Sequence, residues 1–238
     1  MKLGILQTGT SPDELKPVHG DYDDLFKRLL AGRGFTFETW RVLDGKIPDS
    51  VQDADGWLIT GSKFGVYEDH PWIAPLEQFL RDAYAAGVPI VGVCFGHQIL
   101  AQALGGKVEK FPGGWSVGAT EYEMADGRKE TLMAWHQDQV TVPPNDAKVI
   151  GHSDFCANAM LAYGIRALSV QPHPEFTPRF LTDLLDARQA VLPPEVAKGA
   201  YRRLDMPLTS EGFADRITAF FKVARNPELL PLLGQNLA

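Results

Sequence analysis

The 238-residue chain is 45% hydrophobic and 22% charged, with a formal net charge of −7, enough for a substantial core and unsuited to a nucleic-acid backbone as partner. No apolar stretch is long enough to span a membrane, and the opening MKLGILQTGTSPDEL has too short an apolar segment for a secretory signal. Cys94 and Cys156 are the only thiols, so the expectation is a cytoplasmic protein with no disulfide framework and no structural metal site.

KLGILQTG opens the chain as a buried strand that stops at Gly9, and a long loop through TSPDELKPVHGDY follows. YDDLFKRLLAGRG then carries Leu25, Leu29 and Leu30 at helical spacing, with Gly32 and Gly34 as stop signals. FTFETWRVL and DGWLITGS read as strands, WIAPLEQFLRDAYAAG as a helix closed by Gly87, and VPIVGVC as a buried strand. Strands alternating with helices predict a three-layer α/β fold, a mostly parallel central sheet with helices on both faces. After residue 106, short β-rich segments (GKVEKF, WSVGATEYEM, QVTVP, KVIGHS, AMLAYG, RALSVQPH) predict a small β-rich insertion with hairpins. Helical patterning returns in PRFLTDLLDARQAVL and EGFADRITAFFKVAR. No linker or repeat interrupts the chain, which predicts one domain over 1–238, with its core over about 1–185 and a helical extension over about 186–238.

In VGVCFGHQ, Cys94 sits where a buried strand turns into a helix, with Gly92 and Gly96 each two residues away. Small neighbours permit a strained turn that thrusts the thiol out at the carboxyl end of a sheet. The helix amino terminus favours a thiolate, and its free N–H groups suit an oxyanion. The alternative is a buried packing cysteine, the reading that fits Cys156 in SDFCANAM. A nucleophilic thiol needs a base and the base an orienting group. Of six histidines, His173 in LSVQPHPEF is stiffened by Pro172 and Pro174, and Glu175 follows on the same side of an extended segment. His97 reads as structural, His70 as a surface or capping residue, and His19 as a loop residue near the sheet edge.

GVCFGHQ together with QPHPEF resembles the class I glutamine amidotransferases, and WLITGSKFGVYED looks like that family's glycine-bearing oxyanion strand. MAWHQDQV is similar to the segment that contacts the glutamine α-amino and carboxylate groups in the GMP synthase branch. The resemblance spans roughly residues 1 to 185 and implies a flavodoxin-like sheet, no cofactor, and a Cys94–His173–Glu175 triad. It further implies an oxyanion hole from the N–H groups of Phe95 and of Gly61 or Ser62. Ser62 stands where the family often has a second glycine. Gln98 matches a position that binds the amino-acid end of the substrate, and Trp135, His136, Gln137 and Asp138 would complete that pocket, Asp138 facing the ammonium.

The resemblance implies a small-molecule substrate, glutamine or a γ-glutamyl amide or peptide, cleaved through a γ-glutamyl thioester. No segment here reads as an ATP-binding synthetase, so the alternatives are a self-sufficient γ-glutamyl hydrolase and a glutaminase subunit serving a separate synthetase partner. A non-catalytic module of the same fold is a third reading, disfavoured by the intact triad. Lys198, Arg202 and Arg203 form a small basic group that either faces an anionic substrate or an acidic partner surface or is a solvated helix turn, the preferred reading.

Overall fold

The computed structural model describes residues 1–226, 228 and 229. The part of the expected helical extension at 227 and 230–238 lies outside the described residues. In chain order the elements are β1 (Lys2–Gln7), α1 (Lys16–His19), α2 (Tyr22–Leu29), β2 (Thr36–Arg41), β3 (Gly56–Ile59), α3 (Ile73–Ala85), β4 (Ile90–Val93) and α4 (Phe95–Ala103). There follow β5 (Lys107–Lys110), β6 (Ser116–Met124), β7 (Lys129–His136), β8 (Asp138–Val142), β9 (Lys148–His152), β10 (Met160–Tyr163) and β11 (Ala167–Val170). Three helices close the description: α5 (Pro178–Arg188), α6 (Pro194–Tyr201) and α7 (Ser210–Arg225).

Nine strands form one sheet in the order β2-β1-β3-β4-β11-β10-β9-β6-β7. The first five are parallel neighbours, and β10, β9, β6 and β7 continue the sheet antiparallel. The expected insertion is therefore largely an extension of the main sheet, because β11 pairs with β10 through four residues in register. Only β5 and β8 form a separate ribbon. β7 is a strand that the sequence reading did not name.

Alternation sorts the strand residues between the faces. Leu3 and Ile5 of β1, Leu58 of β3 and Val91 of β4 pack with Phe26 of α2 and Phe213, Ile217 and Phe221 of α7. Their neighbours Leu6, Trp57, Ile59 and Ile90 pack with Leu76 and Leu80 of α3 and Ile99 of α4. Gly4 makes room for the Trp57 ring, since a Cβ there would lie 2.1 Å from it. A third cluster sets Phe180 and Leu184 of α5 and Ala197 and Ala200 of α6 against Val117 and Ala119 of β6 and Met133 of β7.

The basic tail group is not a solvated turn throughout. β9 pairs with β6 only at Glu123 and Met124, so the first half of that edge of β6 has no strand beside it. Arg203 lies there instead and donates to the carbonyls of Val117 (2.6 Å) and Ala119 (3.0 Å). Those oxygens would otherwise be left without a protein partner under α6. At the far end of β7, a buried Arg216–Glu130 pair (3.0 Å) ties α7 to the sheet.

The approach of α4 to β4 is the tightest feature. A Cβ on Gly92 would stand 2.4 Å from the carbonyl oxygen of Gly96 and 2.9 Å from the amide nitrogen of His97. Both are backbone atoms, so no side-chain rotation relieves the clash. Gly92→Ala is expected to destabilise the fold by roughly 1–3 kcal/mol, read as a lower midpoint in denaturant melting. An unchanged midpoint would contradict this packing.

Candidate active site

Cys94 links β4 to α4 with φ +54° and ψ −105°, the one non-glycine residue at positive φ among the described residues. Such a backbone costs on the order of 1–3 kcal/mol and persists only when its surroundings fix it. Its amide donates to the Val170 carbonyl (2.8 Å), anchoring the turn to β11. A Cβ on Gly96 would lie 2.5 Å from the Ile59 carbonyl oxygen, so the first turn of α4 also rests directly on β3. Cys94 is buried, with its Sγ 4.0 Å from the Trp135 carbonyl oxygen.

His173 reaches the same place from the end of β11. Pro172 and Pro174 have no amide hydrogen, so His173 supplies the one backbone donor of that tripeptide, and it donates to Met133 of β7 (2.7 Å). The ring Nδ1 lies 2.7 Å from Glu175 Oε1, both residues being buried. Phe176 stacks on the imidazole with centroids 3.9 Å apart and planes 9° apart, a contact that favours the cationic ring. Burial alone pushes the imidazolium pKa down. The Glu175 and Cys94 side chains, each by charge and hydrogen bond, reverse this and raise it to about 10. His173 is thus held protonated at neutral pH between a carboxylate and a sulfur, which suits a cysteine that reacts as its anion.

Gly61, after β3, faces both groups. A Cβ there would lie 3.0 Å from His173 Cε1 and 3.7 Å from Cys94 Cβ. Among the described residues, the amides of Gly61 and Ser62 donate to no acceptor. The Phe95 amide, in the first turn of α4, has no partner within the helix. Three N–H donors beside Cys94 are therefore left without an intramolecular acceptor among the described residues.

A cavity of about 660 Å³ opens over Cys94 and His173 and is also lined by Ser62, Gln98 and the run Trp135 to Asp138. The structure thus brings Cys94, His173 and, through His173, Glu175 to the same cavity as Ser62, Gln98 and the run Trp135 to Asp138. Two of them are bonded within the protein. Gln98 uses its amide nitrogen on the Asp138 carbonyl (3.0 Å) and Gln171 Oε1 (3.1 Å), so it braces the pocket and leaves only Oε1 for a ligand. His136 is buried with Nδ1 3.2 Å from the same carbonyl, and burial lowers its pKa to about 4, so the ring is neutral. The Asp138 carboxylate accepts from the Tyr67 hydroxyl (2.9 Å) at the cavity wall. Tyr67, Tyr22, Trp115 and Phe176 also line the cavity and were not singled out from sequence. Phe176, inside QPHPEF, and Tyr67, inside WLITGSKFGVYED, lay within motif segments.

The other candidates fall elsewhere. Cys156 is buried and burial raises its thiol to about 12, an inert setting. His97 is buried with Nδ1 2.8 Å from Ser169 Oγ, and burial lowers it to about 3. His19 is not in a loop but ends α1, buried against α5 with Nε2 2.5 Å from Asp183. His70 pairs with Glu68 (2.9 Å) beside Trp72. Among the described residues, no three His, Cys, Asp or Glu side chains gather as a metal ion would need.

The profile of the family described as glutamine amidotransferase class-I matches residues 21–186. The chain belongs to the class-I glutamine amidotransferase family. It is 25% identical over 232 residues to gamma-glutamyl peptidase 3 of Arabidopsis thaliana, covering 91% of this chain and 87% of that protein. It is 30% identical to a subunit of the glutamine-hydrolyzing GMP synthase of Halobacterium salinarum, over 66% of this chain and 85% of that one. The crystal structure of a glutamine amido transferase from Methylobacillus flagellatus superposes with a TM-score of 0.75 at 22% identity, covering 94% of each chain, and shares its fold. No described helix is long and apolar enough to cross a membrane.

Within this amidotransferase fold, the charge on His173 sets a pH dependence. Its folded pKa, about 10, lies above an unfolded value of about 6.5. The stability it contributes is therefore complete below about pH 6.5 and is lost as pH rises through about 10. Glu175→Gln removes one of the two groups that raise the value, so the His173 titration should move down in NMR of ring-labelled protein. A titration unchanged in the variant would contradict the assignment.

Proposed function

We propose that this chain is a self-sufficient cysteine hydrolase of γ-glutamyl amides and peptides. The observation that carries the reading is Cys94 at the β4–α4 turn beside a His173 whose Nδ1 lies 2.7 Å from Glu175. In this reading Cys94 Sγ attacks the γ-carbonyl carbon as His173 holds the thiol proton. The oxyanion is held by the amides of Phe95 and of Gly61 or Ser62. His173 returns the proton to the leaving nitrogen, the C–N bond breaks, and a γ-glutamyl thioester stays on Cys94. His173 then takes a proton from water, which attacks the thioester, and glutamate leaves as the thiol is restored. Asp138 faces the substrate ammonium from the far wall, with Trp135, His136 and Gln137 shaping that end. The neutral, buried His136 serves as a wall and not as a second base.

Two observations support a substrate larger than glutamine. The cavity, about 660 Å³, is in the range that takes drug-sized ligands. Similarity to the γ-glutamyl peptidase runs over 91% of the chain, beyond the family match that ends at 186, and so includes helices that cover the sheet. The chain then works as one unit with α6 and α7 as part of the body. Two unpaired thiols suit a reducing, cytoplasmic setting.

A second reading, the glutaminase component of a two-chain synthetase, is favoured by the similarity to the Halobacterium salinarum GMP synthase chain. The two part on the bench. The isolated chain should hydrolyse a γ-glutamyl dipeptide at least roughly tenfold faster in kcat/KM than glutamine, about 1.4 kcal/mol of transition-state binding. His173→Ala should abolish turnover, and Glu175→Gln should cost less. A chain inert alone that releases ammonia from glutamine only with a synthetase partner would establish the second reading instead.

A further inference from the structure

We infer that Thr60, with Thr8, is a positioning residue for the oxyanion hole: a buried pair of hydroxyls fixes the Gly61–Ser62 peptide so that the Ser62 amide is aimed for catalysis. The inference rests on the hydrolase reading above. Thr8 follows β1 and Thr60 follows β3, both fully buried. The Thr8 amide donates to Thr60 Oγ1 (3.0 Å), and the Thr8 hydroxyl donates to the Thr60 carbonyl (2.9 Å). Thr60 Oγ1 in turn donates to the Gly61 carbonyl (3.1 Å), which Thr8 Oγ1 also approaches at 3.3 Å. Each hydroxyl has a single proton, and this arrangement uses each one once.

The consequence follows from peptide planarity. With the Gly61 carbonyl drawn towards the threonines, the Ser62 N–H in the same trans plane points the opposite way. Gly9 closes the carbonyl side, since a Cβ there would lie 2.6 Å from Gly61 O and 2.8 Å from Ser62 Cα. Across the same residue, the side of Gly61 where a Cβ would stand faces His173 Cε1 at 3.0 Å and Cys94 Cβ at 3.7 Å. A flipped peptide would turn a carbonyl towards the developing oxyanion and remove a donor. The latch prevents that flip, and it answers which amide serves where Ser62 replaces a second glycine: Ser62 itself.

The test compares Thr60→Val, Thr60→Ser and Thr8→Val on a γ-glutamyl dipeptide, alongside alkylation of Cys94 by iodoacetamide, a reaction that forms no oxyanion. Thr60→Val is expected to lower kcat roughly 100-fold, the loss of one oxyanion donor. KM and the alkylation rate should stay within about twofold, and Thr60→Ser should restore most of the loss. Thr8→Val, which keeps the Thr60 bond, should lose roughly tenfold by the same reasoning, and it carries the test if Thr60→Val fails to fold. Unchanged kcat in the valine variants would overturn the latch, as would a parallel fall in alkylation or a serine variant as poor as the valine one. A wild-type chain that alkylates at Cys94 but turns over no γ-glutamyl compound would overturn the hydrolase reading, and the latch with it.

Discussion

Everything at the site depends on one backbone constraint, the positive φ of Cys94. A side chain in that conformation is expensive for any residue but glycine, and it holds here because the chain on either side cannot move. Gly92 lets α4 descend on β4, Gly96 lets its first turn touch β3, and the Cys94 amide is bonded to β11. Three neighbouring parallel strands thus meet at one turn. The strain sets the thiol at the carboxyl edge of the sheet, facing a cavity and the start of a helix, where it is buried yet reachable.

The electrostatics follow from that placement. A buried histidine is ordinarily neutral, as His97 and His136 are. His173 goes the other way because a carboxylate and a sulfur flank it and an aromatic ring lies flat against it. The proline bracket leaves its amide free to bond β7, so the ring is located by the antiparallel half of the sheet while the thiol is located by the parallel half. Antiparallel β7 therefore meets both groups through its carbonyls at Met133 and Trp135, and Arg203, just past α6, and Arg216 of α7 hold β6 and β7 in place.

Local signals made much of this legible in the sequence. Glycines two residues to either side of Cys94, prolines on either side of His173, and alternating strand and helix patterns each have a direct physical meaning at short range. Less legible were features that depend on residues far apart in the chain. Nothing near Arg203 reveals that β9 leaves an edge of β6 open for it to cap. Gln98 lines the cavity, but its amide is committed to Asp138 and Gln171, partners at distant positions. The Thr8–Thr60 pair spans two strands that become neighbours only in the folded sheet, and KETLMAWH reads as a strand once its partner in β6 is known.

The central claim is that Cys94 forms a covalent γ-glutamyl intermediate, and trapping that species tests it most directly. The protein would be mixed with a γ-glutamyl dipeptide, quenched in acid within the first turnovers, and analysed by intact and peptide mass spectrometry. The account predicts a mass gain of one γ-glutamyl group on the peptide bearing Cys94, absent in Cys94→Ala and accumulating when water attack is slowed. Turnover that persists in Cys94→Ala, or an adduct carried by Cys156, would contradict it.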